Sequence, residues 1–310
     1  MILKISLSLI GLAVTAGILL VGLPLAAEAF MTRGTPWTKG TDPASELGLA
    51  FEDVAFPTAD GFTLRGWFIP AEDPDAPAIV YAHGSGSDQR SGLVLAPWLH
   101  HAGYNVLLFS YRDHGQSDHR GVGLTYGYGE SQDIDSAVRF LSEVKGIRRI
   151  GVIGYSIGGA SAILSAARNP LIDAVVAVAP FSCTPQLWAG NRPQGVPSVV
   201  LDVTLRLASL WKGFPTSDTC PLDVVSKIGP RPLLLIHGTA DQYIPPSQSE
   251  QLYNAASMPK TLWLLEGATH ETVRTRAFTA RGQAILDFLR STLATTSPTH
   301  APTRRRHSPS

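Results

Sequence analysis

The feature that most constrains this chain is a series of short apolar runs with Val, Ile and Leu prominent. They fall at Ala78–Ala82, Asn105–Ser110, Arg149–Gly154, Ala174–Ala179, Pro232–Ile236 and Thr261–Leu265. Runs of that length with no polar alternation suit strands buried on both faces of a parallel sheet. Helical patterns separate them. Glu130–Val144 places Ile134, Ala137, Val138 and Leu141 close to one face, and Ile157–Arg168 is Ala-rich and stops before Pro170. Pro246–Ala256 and Arg276–Leu293 are two further candidates. Ahead of them, Val54–Pro57 and Thr63–Pro70 flank Ala59-Asp60-Gly61 and read as a hairpin. Repeated strand-helix alternation predicts an α/β fold: a doubly wound, mostly parallel sheet opened by an antiparallel hairpin.

The two ends stand apart from this pattern. From Ile5 to Ala27 the chain carries no charge, a run of about 23 residues against the roughly 20 that a spanning helix needs. Pro24 would kink or end that helix near its outer edge. The run reads as a single N-terminal membrane anchor or as a secretory signal cleaved near Ala29, since Ala27-Glu28-Ala29 has the form of a cleavage site. Lys4 before it, and Arg33 and Lys39 after it, leave the orientation undetermined. At the other end 296–310 is rich in Ser, Thr, Pro, His and Arg and reads as a disordered tail. The organisation expected is therefore an anchor or signal over 1–29, a linker over 30–48, one α/β domain over 49–295, and the tail.

One interval breaks the rhythm. About fifty residues, Phe181 to Arg231, separate two strands that need only a brief crossover. The interval holds Trp188, Trp211 and Phe214, and reads as a lid over a cleft at the carboxyl ends of the strands, or as a structural excursion. It also holds the only two cysteines, Cys183 and Cys220, which pair or stay free depending on a separation in space that spacing does not give.

The chemistry begins at Gly154-Tyr155-Ser156-Ile157-Gly158. A Gly-x-Ser-x-Gly pattern alone is weak, but here a strand ends just before it and an Ala-rich helix starts just after it. That is the setting of a nucleophile elbow. A serine hydroxyl needs a base, and the base needs an orienting acid. Asp241, after the strand Pro232–Ile236, and His270, after the strand Thr261–Leu265, supply both in the chain order this architecture uses. Asp218, Asp223 and Glu266 are competing acids on nearby loops. Two backbone N–H groups are expected to form an oxyanion hole: that of Ile157, and that of Ser85 in His83-Gly84-Ser85-Gly86-Ser87 after the strand Ala78–Ala82.

Together these segments resemble the α/β-hydrolase superfamily, and within it a bacterial branch similar to serine aminopeptidases and monoglyceride-lipase-like enzymes. The resemblance covers about Leu49 to Leu293. Phe51-Glu52-Asp53-Val54, Thr58-Ala59-Asp60-Gly61 and Arg65-Gly66-Trp67-Phe68-Ile69-Pro70 are similar to its opening hairpin. Tyr111-Arg112-Asp113-His114-Gly115-Gln116-Ser117 is similar to its arginine-glycine loop, with Asp113 where the branch usually has Gly. An N-terminal membrane segment is also familiar there. The resemblance implies a serine hydrolase cleaving a carboxylic ester or thioester through an acyl-enzyme. The alternatives are a peptidase or amidase on small substrates, and a non-catalytic binding protein that keeps the fold. A small acyl substrate, a membrane contact through the N-terminus and no cofactor are expected. Lys+Arg and Asp+Glu are both 25, so no net charge favours nucleic acid as a partner. No phosphate-loop, dinucleotide or His-Glu-x-x-His pattern is present.

Overall fold

A computed structural model describes residues 15, 17–38 and 40–293. The predicted tail, and residues 5–14 and 16 of the apolar N-terminal run, lie outside the described residues. Eight strands form one sheet: β1 (Glu52–Pro57), β2 (Thr63–Ile69), β3 (Ala78–Ala82), β4 (Asn105–Ser110), β5 (Ile150–Tyr155), β6 (Ala174–Val178), β7 (Leu233–Gly238) and β8 (Lys260–Leu265). Their spatial order is β1-β2-β4-β3-β5-β6-β7-β8. The β1–β2 hairpin is antiparallel and β2 pairs antiparallel with β4, while β4, β3, β5, β6, β7 and β8 run parallel. This is the mostly parallel sheet that the apolar runs predict, and it has the α/β-hydrolase fold.

The helices are α1 (Leu23–Met31), α2 (Pro43–Leu47), α3 (Ala96–His101), α4 (Tyr128–Arg139), α5 (Ile157–Ala166), α6 (Thr184–Gly190), α7 (Ser198–Lys212), α8 (Pro221–Val224), α9 (Ser247–Ala255) and α10 (His270–Leu293). Alternate strand residues face opposite sides of the sheet, so one strand serves two cores. Val80, Leu107, Val152, Ala177 and Leu235 join the side chains of α4 and α5 on one face. Ile79, Leu108, Ile153, Val176 and Leu234 meet α3 and α10 on the other. The last helix is longer than its apolar pattern: it starts at His270 rather than Arg276, and Val273 in the added turns is buried as well.

The stretch between α1 and β1, read as a linker, is held along the domain by backbone bonds. The Leu124 N–H donates to Thr32 O at 2.7 Å and the Gly115 N–H to Thr35 O at 2.8 Å. Trp37 meets Trp67 edge-on at 6.1 Å. A π-helical turn (Ile18–Gly22) runs into α1, which packs on α7. Glu28, in the segment that reads as a cleavage site, is buried there against the equally buried Lys212 of α7, 2.7 Å away. Among the described residues no helix is long and apolar enough to cross a membrane.

The interval Phe181–Arg231 folds as α6, α7 and α8 with short turns. Cys183 and Cys220 are joined in a disulfide that ties the start of α6 to the start of α8.

Candidate active site

β5 ends at Tyr155 and α5 begins at Ile157, leaving Ser156 alone at the corner with φ 55° and ψ −121°. A non-glycine residue at positive φ stores strain that the surroundings must enforce. Here the packing does so. A Cβ on Gly154 would lie 2.2 Å from Gly158 O, and one on Gly158 would lie 2.1 Å from Ala82 O. Only glycines let the strand, the turn and β3 approach this closely.

Three loops from the carboxyl ends of β5, β7 and β8 converge at this corner. Ser156 Oγ lies 3.0 Å from His270 Nε2, and His270 Nδ1 lies 2.7 Å from Asp241 Oδ2. A carboxylate only accepts, so Nδ1 carries the hydrogen, and in the neutral imidazole Nε2 is free to accept from Ser156. The structure thus brings Ser156, Asp241 and His270 together, and the carboxylate hydrogen-bonded to His270 is that of Asp241 rather than of Asp218, Asp223 or Glu266. Burial raises the Asp241 carboxyl, but hydrogen bonds from His237 and His270, and then the Ile244 amide, outweigh it and hold the group well below the usual carboxylate range.

His237 is a functional neighbour that sequence reasoning missed. Its Nε2 lies 2.8 Å from Ile244 O and 3.3 Å from Asp241 Oδ2, both acceptors, so Nε2 carries the hydrogen. Its Nδ1 then accepts from Ser249 Oγ at 2.6 Å. The Tyr243 and Ile244 amides donate to the other Asp241 oxygen at 3.0 and 2.8 Å. The only available signal was the position of His237 at the buried end of β7, four residues before Asp241. Two further groups frame the base: Tyr155 Oη donates to His270 O at 2.8 Å, and the Tyr243 ring centre lies 5.3 Å from that of His270.

Ile157 is the first residue of α5, so its N–H has no acceptor four residues back within the helix. The helix N-terminus behind it adds partial positive charge. Ser85 is exposed in the loop after β3. That loop is fixed from below by His83, whose Nδ1 donates to Gly84 O at 2.8 Å and whose Nε2 accepts from the Tyr111 N–H at 3.3 Å. Burial, and then the neighbouring His114, push the His83 imidazole down to about 3. It is neutral at ordinary pH and committed at both nitrogens, a structural rather than a proton-transferring histidine.

The residue that departs from the branch pattern has its own explanation. Asp113 has φ 65°, a conformation that glycine adopts without cost. Its carboxylate accepts three backbone N–H bonds, from Gly121 at 2.6 Å, Val122 at 3.1 Å and Gly123 at 2.8 Å. Beside it, Arg112 spans Asp133 of α4 and Asp60 of the hairpin turn, each at 2.6 Å. Among the described residues no group of three or more His, Cys, Asp or Glu is arranged to hold a metal ion.

The sheet and the converging loops define an α/β hydrolase. The chain belongs to the family described as serine aminopeptidase, S33 (Hydrolase_4), whose model matches residues 73–227. It is 31% identical over 268 residues to the uncharacterized protein YfhR of Escherichia coli (strain K12), covering 82% of this chain and 84% of that one. YqkD of Bacillus subtilis (strain 168) is 29% identical, over 80% and 84% of the two chains. Among solved structures, the Pyrococcus furiosus esterase Pf2001 superposes with a TM-score of 0.67 at 24% identity, over 85% of this chain and 99% of that one. The α/β hydrolase GrgF from Penicillium sp. sh18 gives 0.64 at 23% identity, over 80% and 100%.

Proposed function

We propose that this hydrolase cleaves a carboxylic ester or thioester through an acyl-enzyme formed on Ser156. The observation that carries the reading is the unbroken line from Ser156 Oγ through His270 to Asp241, at 3.0 and 2.7 Å, with the serine held at a strained corner. His270 Nε2 takes the hydroxyl proton as Ser156 attacks the acyl carbonyl. Asp241 orients the imidazole and offsets the charge that forms on it. The amides of Ile157 and Ser85 are the proposed oxyanion donors, each worth about 3–4 kcal/mol to the transition state in sites of this kind. His270 then gives its proton to the leaving group, and activates the water that releases the acid and restores the serine.

The excursion Phe181–Arg231 is the proposed lid. Asn191 at its edge donates to Tyr243 O at 2.9 Å, and Tyr243 abuts His270. The uncharged N-terminal run is the proposed membrane anchor. A second reading, hydrolysis of small peptides or amides, is favoured by the family's description as serine aminopeptidase. The name of the Pyrococcus furiosus esterase favours the ester reading.

The test is labelling by a fluorophosphonate probe beside Ser156→Ala. Labelling of the folded wild type and none of the variant is the expected outcome, with turnover falling by at least about 10³-fold. A folded wild type that stays unlabelled would sink the proposal. A matched panel of esters and amides separates the two readings.

A further inference from the structure

Helix α7 has two apolar faces. Val200, Thr204, Leu205 and Ala208 turn inward and are buried. Val199, Val203, Leu207 and Leu210, at steps of four, four and three, turn outward, with Leu210 79% exposed. That spacing is one stripe of a helix surface. A stripe of large aliphatic groups left to solvent marks a contact surface rather than ordinary exposure. Trp211 extends it and is 52% exposed.

The N-terminal helical segment that packs on α7 is exposed in the same manner. Ile18, Leu19, Leu20 and Leu23 are all about half or more exposed, as are Phe30 and Met31 at its end. The two elements are locked to each other by buried polar groups. Lys212 Nζ meets Glu28 Oε1 at 2.7 Å and donates to Leu124 O at 3.0 Å. Tyr126 Oη donates to Glu28 at 3.1 Å. These contacts join the N-terminal helical segment and α7 directly to each other.

We propose that these two faces form a single surface that enters one leaflet of a lipid bilayer, so that the proposed lid lies on the membrane and receives its acyl substrate from it. This rests on the anchor and the hydrolase reading of Proposed function, and adds α7 to the membrane-contacting surface. Two observations choose lipid as the occupant. The chain leading into the exposed segment, from Ile5 to Val14, is uncharged and mostly apolar, and Lys4 is the only charge before it. At the other rim, the Arg33 guanidinium sits 3.9 Å over the Phe30 ring, an apolar body with a charged head, the arrangement side chains adopt at a membrane-water boundary. Asp202 and Arg206, the exposed charges of α7, lie to one side of its outer stripe rather than within it.

The test uses the full chain bound to vesicles of dioleoylphosphatidylcholine, or of the same lipid with dibrominated chains, in the wild type and in Trp211→Phe. Brominated lipid is expected to quench wild-type tryptophan fluorescence, with the larger part of that quenching absent from Trp211→Phe. Equal quenching in both would overturn the proposal, because a tryptophan other than Trp211 would then be the one beside lipid, and the segment up to Met31 has none. No quenching would also overturn it, leaving lipid contact to the anchor alone, and a dimer in sedimentation would then assign the face to a second copy of the chain. In a second arm, Leu207→Asp with Leu210→Asp is expected to keep turnover of a soluble short-chain ester. It is expected to lose at least tenfold on an ester carried in the vesicles, and equal loss on both would count against the surface. If the wild type turns over no ester at all, the hydrolase reading falls, while the quenching arm still decides the membrane surface.

Discussion

Two carboxylates of the site region, Asp113 and Asp241, accept backbone amides that sequence spacing does not reveal, Asp241 in addition to its two histidines. Asp113 occupies a left-handed backbone position and offsets that strain with three N–H bonds to its carboxylate. Hydrogen bonds to a charged acceptor contribute about 1.5–3 kcal/mol each, against roughly 1–2 kcal/mol of strain. Asp113→Ala keeps the strain and loses the bonds, so it should lower the unfolding free energy by at least about 3 kcal/mol. Asp113→Gly should cost about 1 kcal/mol less, and denaturant titration of both variants checks the order. Asp241 makes a different prediction. Its carboxyl is held below the usual range in the fold, so it binds its proton less readily there than in the unfolded chain, whose value is about 3.9. Its stabilisation is full above that value and is lost as pH falls towards the depressed one. Asp241→Asn should therefore destabilise the protein at pH 7, and the gap to wild type should shrink below about pH 4. A gap that widened in acid would contradict the assignment.

At the scale of elements, the strands carry the site and the excursion Phe181–Arg231 is the proposed lid. Gly154 and Gly158 bring β5, α5 and β3 within a distance no other residue permits, which is why the serine corner is sharp. The excursion has no strand to brace it. Its helices α6 and α8 are short, and the bond between Cys183 and Cys220 ties their starts together across 37 residues of chain. Cross-links of this kind contribute about 2–4 kcal/mol, mainly by restricting the unfolded chain. Cys183→Ser is expected to lower Tm by several degrees, and reductant should do the same to wild type but not to the variant. Thermal melts with and without reductant read both.

At the scale of the whole molecule, α1 is part of the fold and not an appendage. Glu28 and Lys212 are 1% and 0% exposed, and each is the other's charge partner. Removing one member of a buried pair leaves the other charged and unpaired, at a cost of about 3–5 kcal/mol. Glu28→Ala is expected to lose that much in denaturant unfolding. Glu28→Leu with Lys212→Met, which removes both charges, should recover most of it. A chain cut after Ala29 would also lose Glu28, so intact mass of the purified protein should place its first residue before Glu28. A mature chain beginning at Phe30 with wild-type stability would contradict this account.

The order of elements, the bounds of β3 and β4, the serine corner and the chain order of Ser156, Asp241 and His270 were all legible in sequence. Each is a local pattern: an apolar run, a strand-turn-helix motif, a polar residue just past a strand end. What only the tertiary structure decided is pairing between distant positions. Glu28 finds Lys212, His237 braces Asp241, Cys183 meets Cys220, and the early turns of α10 bury Val273. The physical reason is the same throughout. Period and propensity act over a few neighbours, whereas a buried charge or a cross-link depends on which remote side chain the packed sheet places beside it.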